Sequence, residues 1–188
     1  MNYNLKGMTL FELQDFVINN EYPKYRAQQI YNWMYKKSVL QFSDMSNLPL
    51  DFQSFLEDKC TLTTLKLYKK QEADDTIKFI FKTNTNDYIE SVSMIEGDRH
   101  TICISSQVGC SVDCDFCATG KMGFKKNLTS GEIIDQLLLI QNYVKTPITN
   151  IVFMGMGEPF LNYNNVITAA NLMNDHKGLN FSYHRITI

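Results

Sequence analysis

Histidine is scarce in this sequence: His100, His176 and His184 are the only three in 188 residues, and none stands near another. That isolation leaves no second Cys or Cys/His pair of the kind that zinc fingers use. No apolar run approaches the ~18 residues that span a bilayer, and the opening Met1-Asn2-Tyr3-Asn4-Leu5-Lys6 lacks the apolar core of a secretory signal. The chain is therefore expected to be cytoplasmic, with no membrane partner. A large excess of charge is also missing, since 18 Lys and Arg stand against 20 Asp and Glu. That balance excludes a uniformly basic nucleic-acid coat, so any RNA contact must come from local patches. Five cysteines, three of them within eight positions, do not form the even, spread-out framework of an extracellular disulfide protein. What is present is 44% hydrophobic residues, enough for a real core.

Periodicity divides the chain. Thr9 and Glu12 have capping-box spacing, and Leu10, Leu13, Phe16 and Val17 follow on one face, which predicts a helix ending near Asn19-Asn20. A second helical stretch covers residues 25–37, with Tyr25, Ile30, Trp33 and Met34 on a stripe. A third begins at Pro49 with Phe52, Phe55 and Leu56. Near residue 65 the period changes: residues 76–82 and 88–95 are rich in strand formers around the turn Asn84-Thr85-Asn86-Asp87, which predicts a hairpin ended by Gly97-Asp98. From Thr101 strands and helices alternate. A strand over 101–105 precedes a helix opened by a second capping box at Thr129 and Glu132. A buried strand over 150–154, a helix through Val166, Ile167, Ala170 and Met173, and a strand over 184–188 follow. Such alternation implies a parallel sheet. The expected fold is α/β, with a helical N-terminal domain (1–62), a β-hairpin connector (63–100) and a βα region (101–188).

Cys110, Cys114 and Cys117 carry the strongest chemical signal. They lie just after the first strand of the alternating region, where a loop at the carboxyl end of a parallel strand belongs and where βα folds gather their active sites. Three thiolates so close can converge on one centre at little further loop-closure cost, and soft sulfur selects zinc or iron–sulfur clusters. Three ligands leave one iron of a four-iron four-sulfur cube without a protein ligand, as a catalytic centre requires. A structural zinc site with a distant fourth ligand is the alternative. Cys60, ending an amphipathic helix, and Cys103, in an apolar strand, are expected to be buried small hydrophobes.

Other residues carry weaker signals. Gly155-Met156-Gly157-Glu158-Pro159 follows a buried strand; glycines let a ligand approach and Glu158 offers a carboxylate to an ammonium, although the glycines alone fit a plain tight turn. Residues 162–165 are expected to cap the next helix. Glu90 shares a strand face with Tyr88, Val92 and Met94, apolar company that is costly for a carboxylate without a partner. An edge-strand Glu turned to solvent fits the same pattern. Lys121, Lys125 and Lys126 beside the cysteine loop suit RNA phosphates or an ordinary solvated surface equally well.

The segments Ser105-Ser106-Gln107-Val108-Gly109-Cys110, Cys117-Ala118-Thr119-Gly120-Lys121-Met122-Gly123-Phe124, Asn127-Leu128-Thr129-Ser130-Gly131-Glu132-Ile133 and Val152-Phe153-Met154-Gly155-Met156-Gly157-Glu158-Pro159 closely resemble the bacterial dual-specificity RNA adenine carbon-2 methyltransferases. These are radical S-adenosylmethionine enzymes. The resemblance extends more loosely to Tyr25-Arg26-Ala27-Gln28-Gln29-Ile30-Tyr31-Asn32-Trp33. It implies a helical accessory domain leading through the hairpin into a partial βα barrel, and a [4Fe-4S] cluster on Cys110, Cys114 and Cys117 whose open iron chelates S-adenosylmethionine. It further implies Gly157 and Glu158 as contacts to the methionyl part, Glu90 as proton acceptor, and 23S rRNA and tRNA as substrates. A flavodoxin-type electron donor and a monomeric state are expected with it. Pro159 fits the carbon-2 group better than the carbon-8 relative. The family's proteins are about twice as long, so the chain is expected to be truncated at Ile188, before the methyl-carrying cysteine, and inactive alone. A different radical S-adenosylmethionine reaction and a non-catalytic RNA-binding fragment are the alternative readings.

Overall fold

In the computed structural model, which describes residues 3–144 and 146–188, both capping boxes close. The Glu12 carboxylate accepts from the Thr9 N–H at 2.7 Å while Thr9 Oγ1 accepts from the Glu12 N–H. Thr129 and Glu132 repeat the exchange, with the Thr129 N–H 2.9 Å from Glu132 Oε2. These bonds satisfy N–H groups that a helix start otherwise leaves without partners.

The chain runs β1 (Tyr3–Asn4), α1 (Leu10–Asn19), α2 (Tyr25–Tyr31), a π-helical turn (Asn32–Lys36), a 3-10 turn (Phe42–Asp44), α3 (Leu50–Lys59) and β2 (Cys60–Thr61). It continues through β3 (Leu65–Ala73), β4 (Thr76–Thr83), β5 (Tyr88–Glu96), β6 (Arg99–Cys103), β7 (Gln107–Val108), α4 (Ala118–Lys121), β8 (Lys126–Asn127), α5 (Ser130–Tyr143) and β9 (Asn150–Val152). A 3-10 turn (Pro159–Asn162), α6 (Tyr163–Asn174), another 3-10 turn (Tyr183–Arg185) and β10 (Ile186–Thr187) follow. No helix among the described residues is long and apolar enough to cross a membrane.

α1 and α3 bury Leu13, Phe16, Val17, Phe52 and Leu56 of the expected stripes, whereas in the second stretch Ile30 and Met34 are buried but Tyr25 is exposed; Tyr22 packs on Phe52 with ring centroids 4.1 Å apart. The architecture beyond them is mixed α/β: one six-stranded sheet in the order β10-β9-β6-β5-β4-β3. β6, β9 and β10 are parallel, whereas β6, β5, β4 and β3 are antiparallel. The hairpin and the alternating region thus share a single sheet, because Gly97-Asp98 folds β6 back onto β5 with Glu96 opposite Arg99. The described residues form no closed barrel.

α5 covers one face of this sheet. Phe79 and Phe81 of β4 and Ile89 and Ser91 of β5 are buried there. Phe79 meets Tyr143 edge-on at 5.3 Å, and Ser91 Oγ donates to Gln136 Oε1 at 2.7 Å. The opposite face, carrying Ile80, Glu90 and Val92, is only half-buried.

The first residues of the chain dock on the start of α5. Gly131 lies so close to the Lys6 carbonyl that a Cβ there would collide with it, and Ser130 Oγ donates to the Gly7 carbonyl at 3.3 Å. The Lys6 and Asp135 side chains beside this contact are 0% and 1% exposed, with Nζ 3.7 Å from Oδ1. Asp135 Oδ2 accepts from both the N–H and the hydroxyl of Thr64. Burial pushes the Lys6 amine down and the Asp135 carboxyl up, each against the pull of its partner. Asn162 does not cap α6 as expected from its place in the sequence. Its Nδ2 donates inward to the Ser106 and Leu128 carbonyls at 2.8 and 2.7 Å, tying the turn before α6 to the segments after β6 and β8.

Candidate functional site

The cysteine loop hangs between β7 and β8, which pair antiparallel through Gln107↔Asn127 and Val108↔Lys126. Gly109 closes it: φ is +73°, and the Cys110 N–H donates to the Gly123 carbonyl at 3.2 Å. A Cβ at Gly109 would overlap that carbonyl, so both the left-handed backbone and the close approach require glycine. Gly109→Ala is expected to destabilise the protein by more than about 1 kcal/mol and to reduce iron uptake. An unchanged melting temperature with full iron loading would contradict this.

Cys110, Cys114 and Cys117 are half-buried free thiols. The Cys117 N–H bonds the Cys114 carbonyl at 3.0 Å, and the N–H groups of Gly120 and Thr119, at the turn into α4, hold the Cys117 thiol below the ordinary cysteine range. The loop gathers the three residues without bringing their side chains to one point. Among the described residues no group of three or more Cys, His, Asp or Glu stands at metal-holding distance. The donor set nevertheless fits an iron–sulfur centre: three accessible soft ligands on one closed loop, one already biased toward thiolate. The other cysteines differ. Cys60 is buried and its thiol is pushed up to about 12 by burial. Cys103 is only half-buried, contrary to expectation, because it ends β6 where the sheet face opens; burial raises its thiol, opposed by a backbone hydrogen bond at Met154.

The turn over 155–158 is held against the residues after β6. Gly157 has φ +96°, and a Cβ there would strike the Gln107 side chain; Gln107 Oε1 in turn accepts from the Glu158 N–H at 2.8 Å. The Glu158 carboxylate accepts from the Phe160 N–H at 3.1 Å, capping the 3-10 turn. Behind it, Ser105 Oγ donates to the Glu90 carbonyl at 2.6 Å and accepts from the Met156 N–H at 2.9 Å. Gln136 exchanges two bonds with the Ser105 backbone at 2.7 and 2.9 Å. Ser105, Gln107 and Gln136 were missed as site residues. Their signal was polar side chains where the pattern calls for apolar ones: after a buried strand, and amid Ile133, Ile134, Leu137 and Leu138 of α5.

Glu90 shares the open face of β5 with Tyr88, Val92 and Met94, as period two places it. Its side chain is 46% exposed and pairs with Lys78 Nζ of β4 at 3.2 Å. It borders a cavity of about 420 Å³ lined on the sheet side by Ile80, Tyr68 and Tyr88 and on the loop side by Ala118, Thr119 and Met122, with Met156 from the glycine turn. Two of the three basic residues beside the loop are less available than their sequence suggests. Lys125 pairs with Asp87 at 3.1 Å and Lys126 with Glu132 at 2.7 Å. In the helical part, Lys37 stacks on Trp33 at 4.0 Å and Arg26 on Tyr25 at 4.8 Å.

The family described as "Ribosomal RNA large subunit methyltransferase N-terminal domain" matches residues 3–62, and the "Radical SAM superfamily" matches residues 104–188. A probable dual-specificity RNA methyltransferase RlmN of Thermosipho melanesiensis is 46% identical over 167 residues, covering 88% of this chain and 49% of the relative. The corresponding Salinibacter ruber protein is 41% identical, covering 98% and 53%. The dual-specificity RNA methyltransferase RlmN of Geobacter sulfurreducens is 40% identical, covering 98% and 51%. The crystal structure of a radical SAM methyltransferase from Sphaerobacter thermophilus superposes with a TM-score of 0.92 at 38% identity, over 98% of this chain and 55% of that one. The chain spans about half the length of the curated relatives it matches.

Proposed function

Since the chain belongs to the RlmN family of radical SAM methyltransferases, we propose that it serves the methylation of adenine carbon 2 in 23S rRNA and tRNA. The observation that carries this reading is one cavity bordered by Glu90, by the residues that follow Cys117 and by Met156 of the glycine turn. Residues 1–62 act as the accessory domain, 63–100 as the connector and 101–188 as the first part of a partial βα barrel. The protein works in the cytoplasm as a monomer reduced by a flavodoxin-type donor.

Cys110, Cys114 and Cys117 would hold a [4Fe-4S] cluster, which supplies the electron that cleaves S-adenosylmethionine. The chain's own residues do the rest of the work described here. At Gly157 the absent side chain keeps the turn close to Gln107, and Glu158 would offer its carboxylate to the methionyl ammonium. Replacing a ring hydrogen by methyl requires an acceptor for the ring proton, and the Glu90 carboxylate takes it, with Lys78 fixing the side chain across the ladder. Met122 and Met156 keep the cavity walls apolar.

Anaerobic reconstitution with iron and sulfide tests the first half of the reading: a reduced-cluster paramagnetic signal that changes on adding S-adenosylmethionine is expected, and a cluster blind to it would overturn the proposal. Glu90→Gln in the intact protein tests the second. Methylated adenine from a hairpin RNA is expected to fall by roughly 10²–10⁴-fold. Turnover equal to the parent's would remove Glu90 from the mechanism.

A further inference from the structure

Two tyrosines on the cavity have no part in the chemistry above. β3 and β4 stay in register as far as Leu67↔Phe81 and resume at Lys69↔Ile80, so Tyr68 is an extra residue without a partner across the ladder. A bulge of this kind bends its strand and re-aims a side chain, and bulges concentrate beside active sites. Here the re-aimed ring meets Tyr88, which lies two residues before Glu90 on the same face of β5. The ring centroids are 4.8 Å apart and the planes are inclined at 59°. Both rings are exposed, 62% for Tyr68 and 42% for Tyr88, so their faces are not consumed by the protein's own core.

The surroundings select the ligand. At about 420 Å³ the cavity is near the lower end of small-molecule sites and suits one flat ring system. Ile80, Met122 and Met156 give it apolar walls. Glu90 stands at its edge, where the C2–H of an adenine lying in the cavity would face the carboxylate. We infer that Tyr68 and Tyr88 form an aromatic platform on which the substrate purine stacks once it leaves its RNA loop, with its edge toward Glu90. The inference rests on the RNA-adenine reading and adds to it the residues that hold the base. An extruded base loses its stacking neighbours, and an aromatic face restores part of that loss without regard to flanking sequence.

The test uses the intact holoenzyme and a hairpin RNA with 2-aminopurine at the target position. Tyr68→Leu and Tyr88→Leu are each expected to weaken binding about tenfold and to raise the emission of the bound base, because leucine keeps apolar bulk but offers no ring face. Tyr68→Phe keeps the face and is expected to bind within about twofold of the parent. Leucine variants that bind as tightly as the parent, with the same emission, would overturn the platform and leave the methyltransferase reading standing. A parent protein that binds no hairpin would overturn both.

Discussion

Asp135→Ala is expected to destabilise the protein by roughly 3–5 kcal/mol, the usual cost of removing one partner from a buried ion pair. The substitution strands the Lys6 ammonium, whose side chain is fully buried and whose Nζ, 3.7 Å from Asp135 Oδ1, has no hydrogen-bond partner among the described residues. It also deprives the Thr64 N–H and hydroxyl of their common acceptor. Burial already pushes both ionisable groups toward their neutral forms, so the pair is a poor source of net stability even when intact. A second expectation follows: Lys6→Met combined with Asp135→Leu is more stable than Asp135→Ala alone, since apolar replacement of a whole buried pair is often neutral or favourable. Urea unfolding of the three proteins measures both effects. A loss below about 1 kcal/mol for Asp135→Ala would show that the contact carries little weight.

Single alanine replacement of Cys110, Cys114 or Cys117 is expected to abolish the iron–sulfur centre. With three protein ligands on one loop, losing any one leaves two, too few to hold the cube against exchange with solvent thiols. Iron and acid-labile sulfide should fall to background, together with the reduced paramagnetic signal. Cys60→Ala serves as the control, because that thiol is buried at the end of α3 and burial holds it protonated. Tight binding of one zinc per chain, without sulfide and dependent on the same three cysteines, would replace the cluster with a structural metal site.

What the sequence disclosed were features whose cause is local. The capping boxes at Thr9 and Thr129 need only residues three apart, and the helices start where those residues stand. The cysteine spacing and the glycine turn were equally plain. β3 escaped notice because its exposed run Lys66, Lys69, Lys70, Gln71 and Glu72 reads as loop; it is the edge of the sheet, where polar side chains guard an unpaired ladder. Glu90 does share its face with Tyr88, Val92 and Met94, but whether that face is covered was not legible. Period two identifies which residues share a face, but only the position of α5 decides which face is covered. The roles of Asn162, Gln107 and Gln136 were not legible, although polar side chains at the two glutamine positions marked them as unusual, because each bonds a segment at least 20 positions away.

The docking of Lys6 and Gly7 on α5 also has a consequence in time. The ribosome delivers Lys6 about 130 positions before Asp135, and at ~5–20 residues per second that interval is roughly 6 to 26 seconds. Throughout it, the nascent chain holds a lysine destined for complete enclosure and a glycine whose carbonyl awaits Ser130. The helical segment can collapse during that wait, yet its first strand has no final seat until α5 emerges. Synthesis speed through residues 6–135 therefore sets how long this segment stays unsettled.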